Sequence, residues 1–150
     1  MSLNTENQPR HGQLLARGVA RHLSCLGFVS LKEFSPSRGL RTDVYALGPK
    51  GEMWIVECKS SKSDFTSDKK WYKYLEWGDN FFWAVGRDFP THVLPKDTGL
   101  IIADGYDAHI VRVASQKPLL PARRKNLSLK FATKAAQRLQ RLLDPNFIYP

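Results

Sequence analysis

Gly48-Pro49-Lys50-Gly51 separates two apolar runs, 41–47 and 52–59, and leaves little freedom in how they pair. Proline suits the first central position of a type I turn, and the glycine two places on suits the left-handed residue that follows such a turn. The spacing predicts a three-residue hairpin with a bulge. Residue 48 then faces residue 52, and the same register carried along the strands puts Asp43 opposite Glu57.

Directly opposed residues share a face of a sheet, and Lys59, two positions beyond Glu57, shares it too. An exposed ladder would make Glu57 and Lys59 ordinary surface residues. Against that, Met53, Trp54, Ile55 and Val56 give the second strand apolar residues on both faces, as a covered central strand requires. Two carboxylates about 5 Å apart repel, and burying them uncompensated costs several kcal/mol. One lysine does not offset both, so a divalent cation is the economical completion. Oxygen donors without a nearby histidine or thiol partner favour Mg²⁺ or Mn²⁺ over zinc.

The rest of the chain alternates between strand and helix patterns. Residues 9–26 place Leu14, Leu15, Val19, Leu23 and Leu26 at helical spacing before Gly27, a suitable C-terminal cap. FVSLKEF (28–34), FFWAVG (81–86), GLIIAD (99–104) and AHIVRV (108–113) read as strands. A second helix is expected near 66–77, with Trp71, Tyr74 and Leu75 on one face. A last, basic helix is expected over 127–143, packing Leu129, Ala132, Ala136, Leu139 and Leu143 inward. Interleaved strands and helices predict an α/β domain, a sheet covered by helices on both faces. With 150 residues the expectation is a single domain, with residues 1–8 a disordered tail.

Charge narrows the function classes. From Ala108 to Leu143 there are nine Lys or Arg and no acid, whereas the remainder carries 14 of each sign. The net +9 therefore sits in the last third, a field that gathers polyanions, nucleic acid foremost. A solvated basic helix is the plainer alternative. Cys25 and Cys58 form neither a disulfide framework nor a metal pair, which points to a reducing, cytoplasmic setting. No apolar leader and no run of 18 apolar residues is present, so neither a signal peptide nor a membrane span is expected.

An Asp, a gap of 13, then Glu-x-Lys on the next strand resembles the signature of the PD-(D/E)XK nuclease superfamily. More widely, RTDVYALGPKGEMWIVECKSS, DKKWYKYL, FPTHVLPKDTGLIIAD and PARRK resemble successive motifs of the MmcB-like DNA repair protein family. The resemblance implies a restriction endonuclease-like core, a mixed twisted sheet flanked by helices, and a role in repairing or tolerating DNA damage. It implies a nuclease site in which Asp43, Glu57 and the backbone carbonyl of Cys58 hold the metal. Lys59 would position or activate the attacking water. Glu33, on the neighbouring strand, is the candidate for a further carboxylate; its alternative is a surface acid paired with Lys32 or Arg41. One departure stands out: many superfamily members supply an acid from the leading helix, and residues 9–26 contain none. That opens a second reading, a DNA-binding or scaffold module among DNA repair proteins that cleaves little.

Lys70 and Arg41 are candidate phosphate contacts near the metal, and Arg123, Arg124 and Lys125 are sequence-independent ones. Trp71 and Tyr74 read as core rather than base-stacking platforms. The Cys58 side chain reads as a small core residue. His11, His22, His92 and His109 are scattered, and neither GxSxG nor Walker A spacing occurs.

Overall fold

A computed structural model describes residues 10–148. The tail expected over 1–8 lies outside the described residues. Six strands form one sheet in sequence order: β1 (Val29–Phe34), β2 (Thr42–Leu47), β3 (Met53–Lys59), β4 (Asn80–Val85), β5 (Gly99–Ala103) and β6 (Ala108–Arg112). The β3–β4 and β4–β5 pairs are parallel and the other three antiparallel, so the sheet is mixed. Among the described residues no helix is long and apolar enough to cross a membrane.

The GPKG turn forms as its chemistry dictates. Gly48 N donates to Glu52 O at 2.8 Å, Gly51 N donates to Gly48 O at 3.0 Å, and Gly51 adopts φ 87°. The register follows, with Val44 opposite Val56 and Tyr45 opposite Ile55.

Helix α1 (His11–Cys25) covers one face, packing Leu15, Val19 and Leu23 on Val44, Val56 and Phe82. It ends in a Schellman cap: Gly27 at φ 84° donates to Ser24 O, and Phe28 N donates to Leu23 O. The opposite face carries Tyr45, Ile55, Phe81 and Trp83 beneath helix α3 (Pro121–Leu143) and a 3-10 helix, Trp71–Trp77. Trp71 lies edge-on to Trp83 at 5.3 Å and Tyr74 stacks on Phe81 at 6.4 Å, so both aromatics are core contacts.

Two helix expectations are corrected. In place of one helix over 66–77 there are α2 (Lys62–Ser67) and the 3-10 turn. Ser61 Oγ accepts from Asp64 N and starts α2 early. Asp68 then accepts from Lys70 N, which ends it. Helix α3 begins six residues sooner than expected, at Pro121, where a missing N–H costs nothing. It also presents a different face to the sheet. Leu127 and Phe131 are buried, whereas Leu129, Leu139 and Leu143 are 59%, 57% and 74% exposed. Phe131 decides the rotation, because its ring fits against Phe34 and Tyr45 at 5.9 and 6.4 Å.

Candidate metal and nucleic-acid site

The β2–β3 ladder runs backbone to backbone as far as Val44 and Val56, and beyond them side chains take over. Asp43 N donates to Glu57 Oε1 at 3.0 Å, and Cys58 N donates to Asp43 Oδ2 at 2.7 Å. Each carboxylate thus accepts an amide of the other strand, which draws the two acids together where the strands part. Glu57 is 5% exposed and Lys59 is 8% exposed. Cys58 points the other way, into the α1-side core, where burial raises its thiol pKa well above the usual range.

Lys59 is not free in this arrangement. Its Nζ lies 2.8 Å from Asp68 Oδ2 and 5.9 Å from the centre of the Trp83 ring. The pairing with Lys59 and the Lys70 amide pull the Asp68 carboxyl down against a desolvation that would raise it. Asp64, in the first turn of α2, acts electrostatically on Asp43 and accepts from Ser60 N at 3.1 Å. Neither Asp64 nor Asp68 was among the expected site residues. The Ser61-x-x-Asp64 capping spacing is the sequence signal that places the first of them.

Glu33 sits opposite Asp43 on edge strand β1 with φ 51°, the one non-glycine residue at positive φ among those described. Such a conformation is strained for a side chain with a Cβ and needs support. Arg138 of α3 provides it, donating to Lys32 O at 2.6 Å and Glu33 O at 3.1 Å. Glu33, Asp43 and Asp64 line one cavity of about 650 Å³ together with Arg10, His11 and Lys32. Among the described residues Glu33 pairs with neither Lys32 nor Arg41.

Of the expected nucleic-acid contacts, Arg41 is exposed and its charge acts on Asp43, and Lys70 is exposed beside Asp68. Arg123, Arg124 and Lys125 lie elsewhere. Arg124 donates to Gly51 O, at the hairpin end of β3, six residues and about 20 Å along the strand from Glu57. It is also committed to Asp79, at 2.6 and 2.7 Å. Arg123 donates to Glu76 O and covers the Trp77 ring at 4.2 Å. Sequence adjacency suggested one basic cluster, but α3 gives the first two arginines packing roles at the far end of the sheet.

Among the described residues no group of three His, Cys, Asp or Glu is gathered as a metal cage. The side-chain donors here are two carboxylates, a set that suits a hard cation. The described bonds engage Asp43 Oδ2 and Glu57 Oε1, which leaves the second oxygen of each acid for a further partner. Burial and the charge of Asp43 push the Glu57 carboxyl up to about 8, partly offset by the Asp43 amide and Lys59. Burial raises Asp43 as well.

Residues 2–146 match the family described as DNA repair protein MmcB-like. The chain belongs to that family. No curated protein matches. A solved structure, the SPO1766 protein of unknown function from Silicibacter pomeroyi, is similar at 60% identity and a TM-score of 0.92. That match covers 95% of this chain and 97% of the other. Membership in a DNA repair family suggests interaction with DNA.

The raised Glu57 carboxyl of this MmcB-like chain carries a prediction with a definite sign. A folded-state pKa near 8 against an ordinary 4.5 means that the native state binds the proton more tightly than the unfolded one. The stabilisation is complete below pH 4.5 and fades as pH rises towards 8. In metal-free buffer the melting temperature should fall across that window by on the order of 10–15 °C. Glu57→Gln, neutral at every pH, should remove most of the slope. Thermal denaturation at several pH values checks this, and a slope retained by the variant would assign it to another group.

Proposed function

We propose that this MmcB-like protein is a metal-dependent nuclease of the PD-(D/E)XK type, hydrolysing phosphodiester bonds in damaged or branched DNA. The observation that carries the reading is the pair of hydrogen bonds, Asp43 N to Glu57 and Cys58 N to Asp43, which brings the buried Glu57 and the half-buried Asp43 together, with Lys59 next to Glu57 on one strand. Asp43, Glu57 and the Cys58 carbonyl would hold Mg²⁺ or Mn²⁺, with Glu33 as a further carboxylate. A bound divalent ion supplies charge stabilisation at the phosphoryl oxygens and acidifies water. The chain's own groups do the rest. Lys59, aimed by Asp68, orients the attacking water and offsets charge at the phosphorus. Asp43 and Glu57 accept the amides that fix their positions. Arg41 and Lys70 hold neighbouring phosphates.

The ion pair between Lys59 and Asp68 favours a second reading, a DNA-binding module of the repair machinery that retains the acids without efficient cleavage. Metal binding tests the site itself. A ligand bound by the native state alone stabilises it by about 2.7 kcal/mol at a hundredfold excess over Kd. Mg²⁺ or Mn²⁺ should therefore raise the melting temperature by on the order of 5–10 °C. Asp43→Asn should lose that shift and keep its circular dichroism spectrum. An identical response from wild type and variant would remove the carboxylates from the metal site.

A further inference from the structure

The cavity holding Asp43 is the middle one of three. On one side it shares Glu33 with a cavity of about 660 Å³ between the 35–39 loop and α3, whose wall carries Arg38, Lys130 and Lys134. On the other side it shares His11 and Ser60 with a cavity of about 520 Å³ at the ends of β3, β4 and β5, which includes Lys62 and Arg87. Cations therefore stand at both ends, and Arg10 and Lys32 continue them through the middle cavity beside the carboxylates. Asp88 and Asp104 line the third cavity as well, and Asp104 is turned inward to accept from Tyr106 N and Asp107 N.

We propose that the three cavities form one groove for an uninterrupted single strand of nucleic acid. The strand passes Arg38 and Lys134, crosses the carboxylates and leaves past Lys62 and Arg87. Cleavage then falls within a strand rather than at its end. The position of the cut rests on the nuclease reading above; the binding path does not.

Shape selects the ligand. The groove starts on the α3 face, turns over edge strand β1 at Glu33 and continues across the strand ends towards β5. Four inter-strand spacings separate β1 from β5, about 19 Å, or on the order of six phosphates at duplex rise. Duplex DNA, stiff over about 150 base pairs, does not follow a turn that short, whereas a single strand does. The strained backbone of Glu33, clamped by Arg138, stands at the bend. Lys130 keeps its Nζ on Pro36 O and so fixes the loop that forms the outer wall.

Fluorescence anisotropy with a labelled 20-nucleotide single strand, in EDTA across a salt series, reads the path without chemistry. Arg38→Ala with Lys134→Ala should weaken binding at least fivefold and flatten the salt dependence by about one unit of slope. Lys62→Ala with Arg87→Ala should do the same from the other end. Lys50→Ala with Lys117→Ala removes equal charge at the hairpin end of the sheet, where Lys117 N donates to Asp79 O, and should change affinity less than twofold. Competition by circular single-stranded DNA should equal that by linear DNA per nucleotide. Equal effects from all three pairs, tighter binding of duplex, a requirement for a free end, or no binding at all would each overturn the groove. Slope changes at both ends without any metal-induced melting shift would leave the groove standing and the nuclease reading fallen.

Discussion

Asp79→Ala should cost about 3–5 kcal/mol of stability and lower the melting temperature by on the order of 10 °C, although it touches none of the proposed chemistry. The Asp79 side chain is wholly buried. Its Oδ1 accepts from Leu119 N and Arg124 Nη2, and its Oδ2 accepts from Met53 N and Arg124 Nη1. Desolvation would raise the carboxyl pKa, but the Arg124 hydrogen bonds and the two amides hold it below the ordinary value. The residue therefore ties three pieces of chain together: the start of β3, the segment entering α3, and α3 itself. Truncation leaves a half-buried guanidinium and two amides without their acceptor, which is costlier than never having had the pair. Urea or thermal unfolding of wild type and variant measures the loss, and a change under about 1 kcal/mol would contradict the pin. Replacing Arg123, Arg124 and Lys125 together would consequently mix a comparable loss of stability with any effect on DNA, so the control pair above spares Arg124.

The sequence carried the hairpin because turn chemistry is local. Pro49 and Gly51 each have one comfortable conformation, the register follows, and Asp43 meets Glu57. Most of the β-strands were legible for a similar reason, being short apolar runs bounded by Gly, Pro or charged residues, whereas edge strand β1 alternates apolar and polar residues. Helix α3 was harder, since its sequence carries two apolar stripes. Helical spacing cannot say which stripe a sheet will take, and the packing of Phe131 on Phe34 and Tyr45 decides it. The place of Asp64 and Asp68 in the site is not local information, because it depends on the crossover from β3 to β4 folding back over the strand ends. Only then does Asp68 meet Lys59 at 2.8 Å. The structural partner of Arg124 is hidden for the opposite reason: three basic residues in a row suggest a phosphate site, whereas Asp79 lies 45 positions away.

Lys59 separates chemistry from binding more sharply than any other residue. The residue is 8% exposed, and its ammonium pairs with Asp68 at 2.8 Å while its charge acts on Asp43 and Glu57, so it offers little to phosphates away from the reacting one. Lys59→Ala should leave DNA affinity within about twofold and lower the cleavage rate by about 10²–10³-fold, the scale of losing one positioned charge at a reacting centre. The decisive measurement uses the full chain with labelled single-stranded, duplex, flap and junction DNAs, in Mg²⁺, Mn²⁺ or EDTA, comparing wild type with Lys59→Ala. Cleavage by the wild type with either metal, absent in EDTA and lost in the variant while binding persists, is the predicted result. Tight, salt-sensitive binding by the wild type with no cleavage that Lys59→Ala removes would contradict it, and would leave a repair module that uses its acids to hold metal or DNA.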